Sequence, residues 1–382
     1  MRYPFSKKLE TIPPSGIRRF FDLVLTSEDV ISLGVGEPDF VTPWQIREAA
    51  IFALEKGYTS YTSNQGLPEL RLAICDYVKE RFGVQYHRDH ETMVTVGVSE
   101  GVDITLRALL NPGDEVILPE PTYVCYDPLV KLAGGRVISV DTSKSGFIPD
   151  PKAIEKAITP KTKAIILCSP NNPTGRVIPK SILLKISKLA LKHDIWVISD
   201  EVYAEILFKG KYTSFAALPH MKERTILLSG LSKAWAMTGW RIGYICAPEE
   251  VISRALKIHQ YAILCAPIAS QMAAIEALRH ARKPIKQMAH SYLQRRDLFV
   301  DSLNDIGLDT FTPEGAFYCF PSIQKTGLSS EEFAIQLLEK ERLAVVPGSV
   351  FGKGGEGYIR CCYASEIGEL KEALKRFKRF LL

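Results

Sequence analysis

One lysine of this chain is surrounded by residue types that would make its amine reactive. Lys233 lies in the segment Ser229–Gly243, SGLSKAWAMTGWRIG, which follows the apolar run Thr225–Leu228. Apolar and aromatic neighbours destabilise the ammonium form, so we expect the pKa of the amine to fall and its nucleophilicity to rise. Such an amine is suited to forming a Schiff base with a carbonyl compound. Arg241, further along the same segment, has a planar guanidinium suited to binding a phosphate.

Two other polar side chains follow apolar runs. Asp200 begins the sequence DEVY, which also contains Tyr203. A carboxylate at the end of a buried strand is costly without a cationic partner such as a protonated ring nitrogen, although a helix N-cap explains the same residue equally well. Asn172 precedes a proline in the sequence CSPNNPTG, and the proline holds it extended, which fixes the direction of its amide. An ordinary Asn-Pro turn would have the same sequence.

The sequence GVSEG, residues 97–101, has two interpretations. It matches the G-x-S-x-G turn of serine hydrolases, and it lies between a predicted strand and a predicted helix as that motif requires. None of the seven histidines follows a late strand, however, and an H-G-G-G-like oxyanion segment is missing. The second interpretation is that a glycine turn opening a helix presents free N–H groups to a phosphate.

The motifs taken together resemble those of a known enzyme family. The pattern S-x-x-S-K-x-x-x-x-x-G-x-R-x-G around Lys233, with P-x-N-P-T-G and D-x-x-Y before it, is similar to class I/II aminotransferases that use pyridoxal 5'-phosphate (PLP) and have fold type I. The resemblance extends from about residue 31 to residue 364. It implies that Lys233 carries PLP, that Asp200 keeps the pyridine nitrogen protonated, and that Asn172 and Tyr203 bind the phenolic oxygen.

The resemblance also assigns the other groups of the site. Tyr123 would stack on the pyridine ring, and Tyr61 would reach a cofactor phosphate in the partner subunit. Gly36 would lie beside the substrate carboxylate. An arginine within an apolar strand needs an anionic partner, which agrees with the implied role of Arg360 in binding that carboxylate together with Asn172. The phosphate would be held by these residues: Val98, Ser99, Ser232 and Arg241.

The sequence departs from the family pattern at two places. Gly230 stands where some relatives carry a phosphate-binding serine, so Ser232 or Ser229 would have to replace it. Relatives that act on aspartate often place a lysine at the position of Ser99, or an arginine in the region 259–270, and this chain has neither. We therefore expect a side-chain pocket that is apolar or adaptable.

The predicted strands and helices that must position these residues indicate an α/β protein. Seven short apolar runs between Met93 and Cys246 alternate with amphipathic helical segments, which predicts a mostly parallel seven-stranded sheet between helices. Sites in such sheets lie at the carboxyl ends of the strands. A helical stretch follows from about residue 249 to residue 306, and then an α+β part. We predict a large PLP-binding domain at 31–285 and a smaller α+β domain formed by an N-terminal arm, 1–30, with residues 286–382; a short helix is expected at 17–25.

Composition restricts the class of protein. The 382 residues are 46% apolar and 24% charged, which is ordinary for a soluble globular protein, and a net charge of +5 is too small to indicate nucleic acid. No signal peptide or membrane span is evident. Eight cysteines without C-x-x-C spacing are best explained as buried thiols of a cytoplasmic protein, so neither disulfides nor a metal site are expected.

These expectations combine into one predicted activity. The protein should be a cytoplasmic, homodimeric transferase of amino-acid metabolism that moves an amino group from an L-amino acid, aromatic, aspartate or similar, to a 2-oxo acid such as 2-oxoglutarate. A PLP-dependent C–S lyase would use the same lysine, aspartate and arginine. A serine hydrolase is a remote alternative, and a ligand-sensing regulator would need a DNA-binding domain for which the residues before the first strand leave no room.

Overall fold

A computed structural model describes residues 6–14, 16 and 29–382; the helix expected at 17–25 lies outside the described residues. The strands in this part of the chain are β1 (Ile31–Ser32), β2 (Thr92–Thr95), β3 (Glu115–Glu120), β4 (Arg136–Asp141), β5 (Thr162–Cys168), β6 (Trp196–Asp200), β7 (Thr225–Gly230), β8 (Gly243–Cys246), β9 (Tyr318–Cys319), β10 (Leu343–Ala344), β11 (Val346–Pro347) and β12 (Ile359–Cys362). The helices are α1 (Lys7–Glu10), α2 (Trp44–Glu55), α3 (Pro68–Phe82), α4 (Gly97–Leu109), α5 (Tyr126–Leu132), α6 (Pro151–Ala157), α7 (Lys180–Lys192), α8 (Glu249–Ala262), α9 (Ile268–His280), α10 (Arg282–Asp305), α11 (Ser330–Glu341) and α12 (Ile367–Leu381).

Seven of these strands form one central sheet. Their order is β2-β8-β7-β6-β5-β3-β4, and β8 alone runs antiparallel to its neighbours. All seven predicted apolar runs became strands of this sheet, which confirms the mostly parallel α/β architecture. The reason is that strands such as β3 and β7, which are buried along their whole length, need apolar residues on both faces.

The two faces of the sheet pack against different helices. Ile166, Ile198 and Ile226 belong to a core shared with α4 and α8. Ile165 and Val197, each displaced by one residue, belong to a second core with α6 and α7. This alternation follows from the period of two along a strand. Because helices cover both faces, the carboxyl-end edge of the parallel strands is left for a site.

The C-terminal part is built differently. The helical stretch near 249–306 consists of three helices, α8 to α10, and β9, β11 and β12 form a small antiparallel sheet after them. Strand β1 pairs in parallel with β10, so the chain just after residue 30 is attached to the C-terminal part. The predicted domain boundary near residue 286 lies within α10, and the division into two domains stays a prediction.

Two further observations concern the described ranges. None of their helices is both long enough and apolar enough to cross a membrane. All eight cysteines are free thiols, and six of them are buried.

Candidate active site

A cavity of about 370 Å³ opens at the carboxyl edge of the central sheet. It is lined from the large sheet by residues that follow β2, β3, β5, β6 and β7, and from the small antiparallel sheet by residues of β9 and β12. Eleven of the twelve residues predicted from the sequence line it: Gly36, Val98, Ser99, Tyr123, Asn172, Asp200, Tyr203, Ser232, Lys233, Arg241 and Arg360. Topology brings them together because parallel strands end at one edge.

Lys233 follows β7 and reaches into this cavity. Its Nζ donates to the carbonyl oxygen of Gly36 at 2.6 Å. Burial lowers the pKa of the amine to about 8, in the direction expected from its neighbours. About a tenth of the amine is therefore unprotonated at pH 7, far more than for an ordinary lysine, and this neutral form is the nucleophile.

Asp200 is the last residue of β6 and is 4% exposed. Its Oδ2 accepts from the Tyr126 hydroxyl at 2.7 Å, and its Oδ1 accepts from the Val202 N–H at 3.2 Å. Burial raises the pKa of this carboxyl, while these hydrogen bonds oppose the rise. A turn rather than a helix follows, so the side chain does not cap a helix. A cationic ring nitrogen in the cavity would be a suitable partner for it.

Arg360 and Asn172 meet at the opposite wall of the cavity. The Arg360 guanidinium donates to Asn172 Oδ1 at 3.0 Å and to the carbonyl oxygen of Gly34 at 2.6 Å. It lies over the ring of Tyr318, 4.6 Å from the centroid. Its Nε is buried without a hydrogen-bond partner, and the two acceptors that it reaches within the described ranges, an amide oxygen and a carbonyl oxygen, are uncharged. This buried cation therefore has capacity for an anionic ligand.

A third group of residues forms a cradle at the start of α4. Gly97 opens this 13-residue helix with φ +77°, and a Cβ placed on it would lie 2.5 Å from Nη2 of Arg241. Glycine therefore allows the guanidinium to approach the helix N-terminus closely. The N–H groups of that first turn can bind a phosphate, and Arg241 and Ser232 line the same cavity.

The comparisons with known proteins agree with this arrangement. A family model described as "Aminotransferase class I and II" matches residues 28–377. The chain is 56% identical over 377 residues to a Bacillus subtilis protein named "Putative aminotransferase YugH", and 44% identical over 380 residues to the aspartate aminotransferase of Pyrococcus abyssi, each match covering 98% of both chains. The solved structure of an aromatic aminotransferase from Pyrococcus horikoshii matches with a TM-score of 0.91 and 43% identity, over 96% of this chain and 98% of that one.

The chain belongs to the class I and II aminotransferases.

The cavity of this aminotransferase fits the cofactor of its family. A phosphate, a ring nitrogen and an aldehyde each have a matching group in one cavity: the α4 cradle, the Asp200 carboxylate and the Lys233 amine. The volume is within the range typical of small-molecule sites. Within the described ranges, no group of three or more His, Cys, Asp or Glu side chains could hold a metal ion.

The GVSEG segment of this aminotransferase has a structural glutamate. Glu100 Oε1 pairs with Nδ1 of the buried His259 at 2.6 Å, and Glu100 Oε2 accepts from the N–H of Val96 at 2.5 Å. Within the described part of the chain, no histidine lines the cavity in which Ser99 lies. Ser99 therefore lacks the base that the serine hydrolase hypothesis requires.

Gly230, which stands where some relatives carry a phosphate-binding serine, has a structural reason. A Cβ at this position would lie 3.0 Å from the carbonyl oxygen of Ile242 and 3.2 Å from Cα of Gly243, because β7 and β8 approach closely here. A serine at position 230 would need the strands to move. Ser232 lines the cavity together with Arg241, as the sequence led us to expect of the serine that replaces position 230.

One predicted residue lies elsewhere. Tyr61 does not line the cavity of its own chain and is 84% exposed. Its role in a partner subunit stays a prediction.

Sequence reasoning missed two tyrosines of the aminotransferase cavity. Tyr126 donates to Asp200, and the available signal was its position three residues after Tyr123 in P-x-Y-x-x-Y. Tyr318, in the segment GAFYCFP, was not among the predicted site residues, yet its hydroxyl lies 2.8 Å from that of Tyr203. Only the three-dimensional arrangement identifies Tyr318, because it comes from a different sheet.

Proposed function

We propose that this aminotransferase transfers the amino group of an L-amino acid to a 2-oxo acid with PLP as cofactor. One observation carries the proposal: a half-buried amine of lowered pKa shares a cavity with a buried carboxylate and a buried, incompletely bonded arginine. These three groups match the aldehyde and ring nitrogen of the cofactor and the α-carboxylate of the substrate.

The chain's own residues would hold the cofactor at three points. Asp200 would keep the ring nitrogen protonated, and Tyr126 would hold Asp200 in place. Asn172 and Tyr203 would bind the phenolic oxygen, and Tyr123 would lie against the ring. The phosphate would be bound by Arg241, Ser232 and the N–H groups of Val98 and Ser99, at the positive end of the α4 dipole. When bound, PLP supplies an electron sink for the bond that breaks at the substrate Cα.

Three residues would act on the substrate directly. Arg360 and Asn172 would bind the α-carboxylate and so orient the Cα–H bond toward Lys233, and Gly36 lines the same cavity. Lys233 would first act as a general base, whose neutral amine takes the Cα proton. Its ammonium form would then act as the general acid that gives this proton up. A pKa of about 8 suits an amine for both steps near neutral pH.

The donor is proposed to be aromatic, aspartate or similar, and the acceptor a 2-oxo acid such as 2-oxoglutarate. The named relatives include an aspartate and an aromatic aminotransferase. In the described part of the chain, the cations that line the cavity are Lys233, Arg241 and Arg360, and each already has a proposed role. A cation for a distal carboxylate is thus missing from this lining, whereas aromatic rings are plentiful. We therefore expect aromatic donors to be used at least as well as aspartate.

We further propose a homodimer in the cytoplasm. Large apolar side chains are exposed in the described part of the chain, and burying such residues against a second copy would remove them from water. They include Val41, Trp44, Phe52 and Tyr261. The eight free thiols would remain reduced in the cytoplasm.

The first experiment is the visible absorption spectrum of the purified protein with added PLP. We expect a band that fades with an aromatic donor or aspartate and returns with 2-oxoglutarate. Lys233→Ala should lose turnover by roughly 10³-fold or more and should no longer be linked to the cofactor after borohydride reduction, as seen by mass spectrometry. The absence of any band would contradict the cofactor, and a band that persists while pyruvate and ammonia accumulate would indicate a lyase.

A further inference from the structure

Four polar groups form a continuous chain of hydrogen bonds in the wall of the cavity. The hydroxyl groups of Tyr203 and Tyr318 lie 2.8 Å apart. Tyr318 also donates to the carbonyl oxygen of Gly36 at 3.2 Å, and Lys233 Nζ donates to that same oxygen at 2.6 Å. Tyr203 and Tyr318 are 4% and 1% exposed, so water does not compete for the bond between their hydroxyl groups.

The direction of donation along these hydrogen bonds changes when a ligand accepts from Tyr203. Each phenol has a single O–H to give. With Tyr318 donating to Gly36, the oxygen of Tyr318 accepts from Tyr203. If Tyr203 instead donates to a phenolic oxygen in the cavity, its contact with Tyr318 persists only when Tyr318 becomes the donor.

The surroundings hold Tyr318 in this place. Its ring packs edge-on against Tyr203 with 5.7 Å between centroids, and the Arg360 guanidinium lies over its face at 4.6 Å. A Cβ at Gly36 would lie 2.6 Å from the Tyr318 hydroxyl. Gly36 therefore gives the hydroxyl room to reach both of its partners.

We propose that Tyr318 is a positioning residue of the reaction, which donates to the Tyr203 oxygen while Tyr203 donates to the phenolic oxygen of the cofactor. The inference rests on the proposed function, since it requires that oxygen in the cavity. A hydrogen bond accepted by Tyr203 polarises its O–H and strengthens the bond it donates. Tyr318 thereby stabilises the deprotonated form of the phenolic oxygen without touching the cofactor.

Several charged or titratable side chains face Tyr203, Tyr318 and Lys233 from neighbouring elements. Burial raises the pKa of the cysteine thiols among these neighbours, which therefore stay neutral near pH 7. The set is Glu37, Tyr123, Cys168, Asp200, Arg241, Arg360 and Cys362. Removing the Tyr318 hydroxyl alone leaves all of them in place.

The test is Tyr318→Phe in the cofactor-loaded enzyme, followed by a pH titration of the visible band. The ring and its packing remain, so the thermal midpoint of unfolding should stay close to that of the wild type. We expect the titration midpoint to rise by about 0.3–0.6 pH unit, since the phenolic oxygen loses part of its stabilisation. An unchanged midpoint in the folded variant overturns the inference.

A double-mutant cycle identifies the route of the effect. If Tyr318 acts through Tyr203, the further change Tyr318→Phe should not move the midpoint of a Tyr203→Phe enzyme. A shift of equal size in that background overturns the proposed route. Tyr292→Phe is the matched control, because its buried hydroxyl has no hydrogen-bond partner in the described part of the chain and its ring packs against Phe317.

A second variant covers the case in which Tyr318→Phe does not fold. Fluorotyrosine at position 318 keeps the hydroxyl and makes it a stronger donor, so the midpoint should fall instead of rise. A midpoint that does not fall overturns the inference. A wild-type protein that acquires no visible band overturns the proposed function itself, whereas a normal wild-type band with unshifted variants overturns only the role of Tyr318.

Discussion

At the scale of single residues, the site depends on polar groups that are buried with too few partners. Lys233 has one hydrogen bond, to the carbonyl oxygen of Gly36, and Arg360 has an unpaired Nε. Such groups lower the stability of the folded protein, because burial removes hydration that a single bond does not replace. They are retained at functional sites because a ligand completes their bonding.

Lys233→Met should therefore stabilise the cofactor-free protein at pH 7, by about 1–3 kcal/mol. In the folded protein the amine has a pKa of about 8, lowered by burial from the ordinary 10.5, so the unfolded chain binds more protons between these values. Wild-type stability thus rises with pH across this window. The gain from the substitution should be full below pH 8 and absent above 10.5.

Urea unfolding of the cofactor-free proteins at several pH values measures this difference. Lys188→Met, at an exposed position of α7, is the matched control and should show no such pH-dependent gain. A Lys233→Met protein that is no more stable than the wild type at pH 7 would show that the amine is adequately solvated.

At the scale of elements, the N-terminal turn of α4 is held from two sides. Strand β8 packs closely against this turn on one side. A Cβ at Gly243 would lie 2.8 Å from the carbonyl carbon of Gly97 and 2.9 Å from the nitrogen of Val98. From the other side, Glu100 pairs with His259 of α8 and accepts from the N–H of Val96. The proposed phosphate-binding N–H groups thus have little freedom to move.

Gly243→Ala should weaken cofactor binding by roughly 10–100-fold, because the added methyl group displaces the first turn of α4. The dissociation constant for PLP, followed by absorbance, measures the effect, and the thermal midpoint of the cofactor-free protein shows whether the fold persists. Gly239→Ala is the matched control, since a Cβ there meets no atom within 4 Å. Unchanged PLP affinity in a folded Gly243→Ala protein would mean that this turn does not bind the phosphate.

At the scale of the whole molecule, the site is assembled from distant parts of the chain. The central sheet supplies Lys233 and Asp200, and β12 of the small sheet supplies Arg360. Tyr61, exposed on the surface of its own chain, is proposed to complete the site of a second copy. Each site of the dimer would then need both chains.

Mixing two inactive variants tests this sharing. A heterodimer of Lys233→Ala and Tyr61→Phe chains has one complete site, because the chain with intact Lys233 receives Tyr61 from its partner. Equal mixing after reversible dissociation should restore about a quarter of wild-type activity, at a PLP concentration too low to load Tyr61→Phe alone. Lys233→Ala mixed with Arg241→Ala is the control, since both residues belong to one chain's cavity and neither site is complete. No recovery in the first mixture would contradict a shared site.

The sequence by itself determined the central sheet and most of the cavity. Runs of residues that are apolar on both faces can form little else than buried strands, and polar residues just after such strands must meet at one edge. Lys233, Asp200 and Asn172 were placed at or just after such strands, but a helix N-cap or an ordinary Asn-Pro turn would also explain Asp200 and Asn172. Their roles were assigned from the family resemblance, as was that of Arg360, which also stood out by its place in an apolar strand. The sequence pattern did not reveal that the stretch of residues 249–306 is divided into three helices, α8 to α10. The helical period of apolar residues continues across the short breaks between them.

Only the tertiary structure decided which groups share hydrogen bonds. Tyr318 and Tyr203 are 115 residues apart, and no local pattern relates the two hydroxyl groups. Glu100 looked like part of a hydrolase motif until it was found paired with His259, 159 residues away. Gly230 looked like a missing phosphate ligand until the closeness of β7 and β8 explained it. Local sequence determines an element and its buried face, but contacts between side chains depend on packing among elements that the local pattern does not encode.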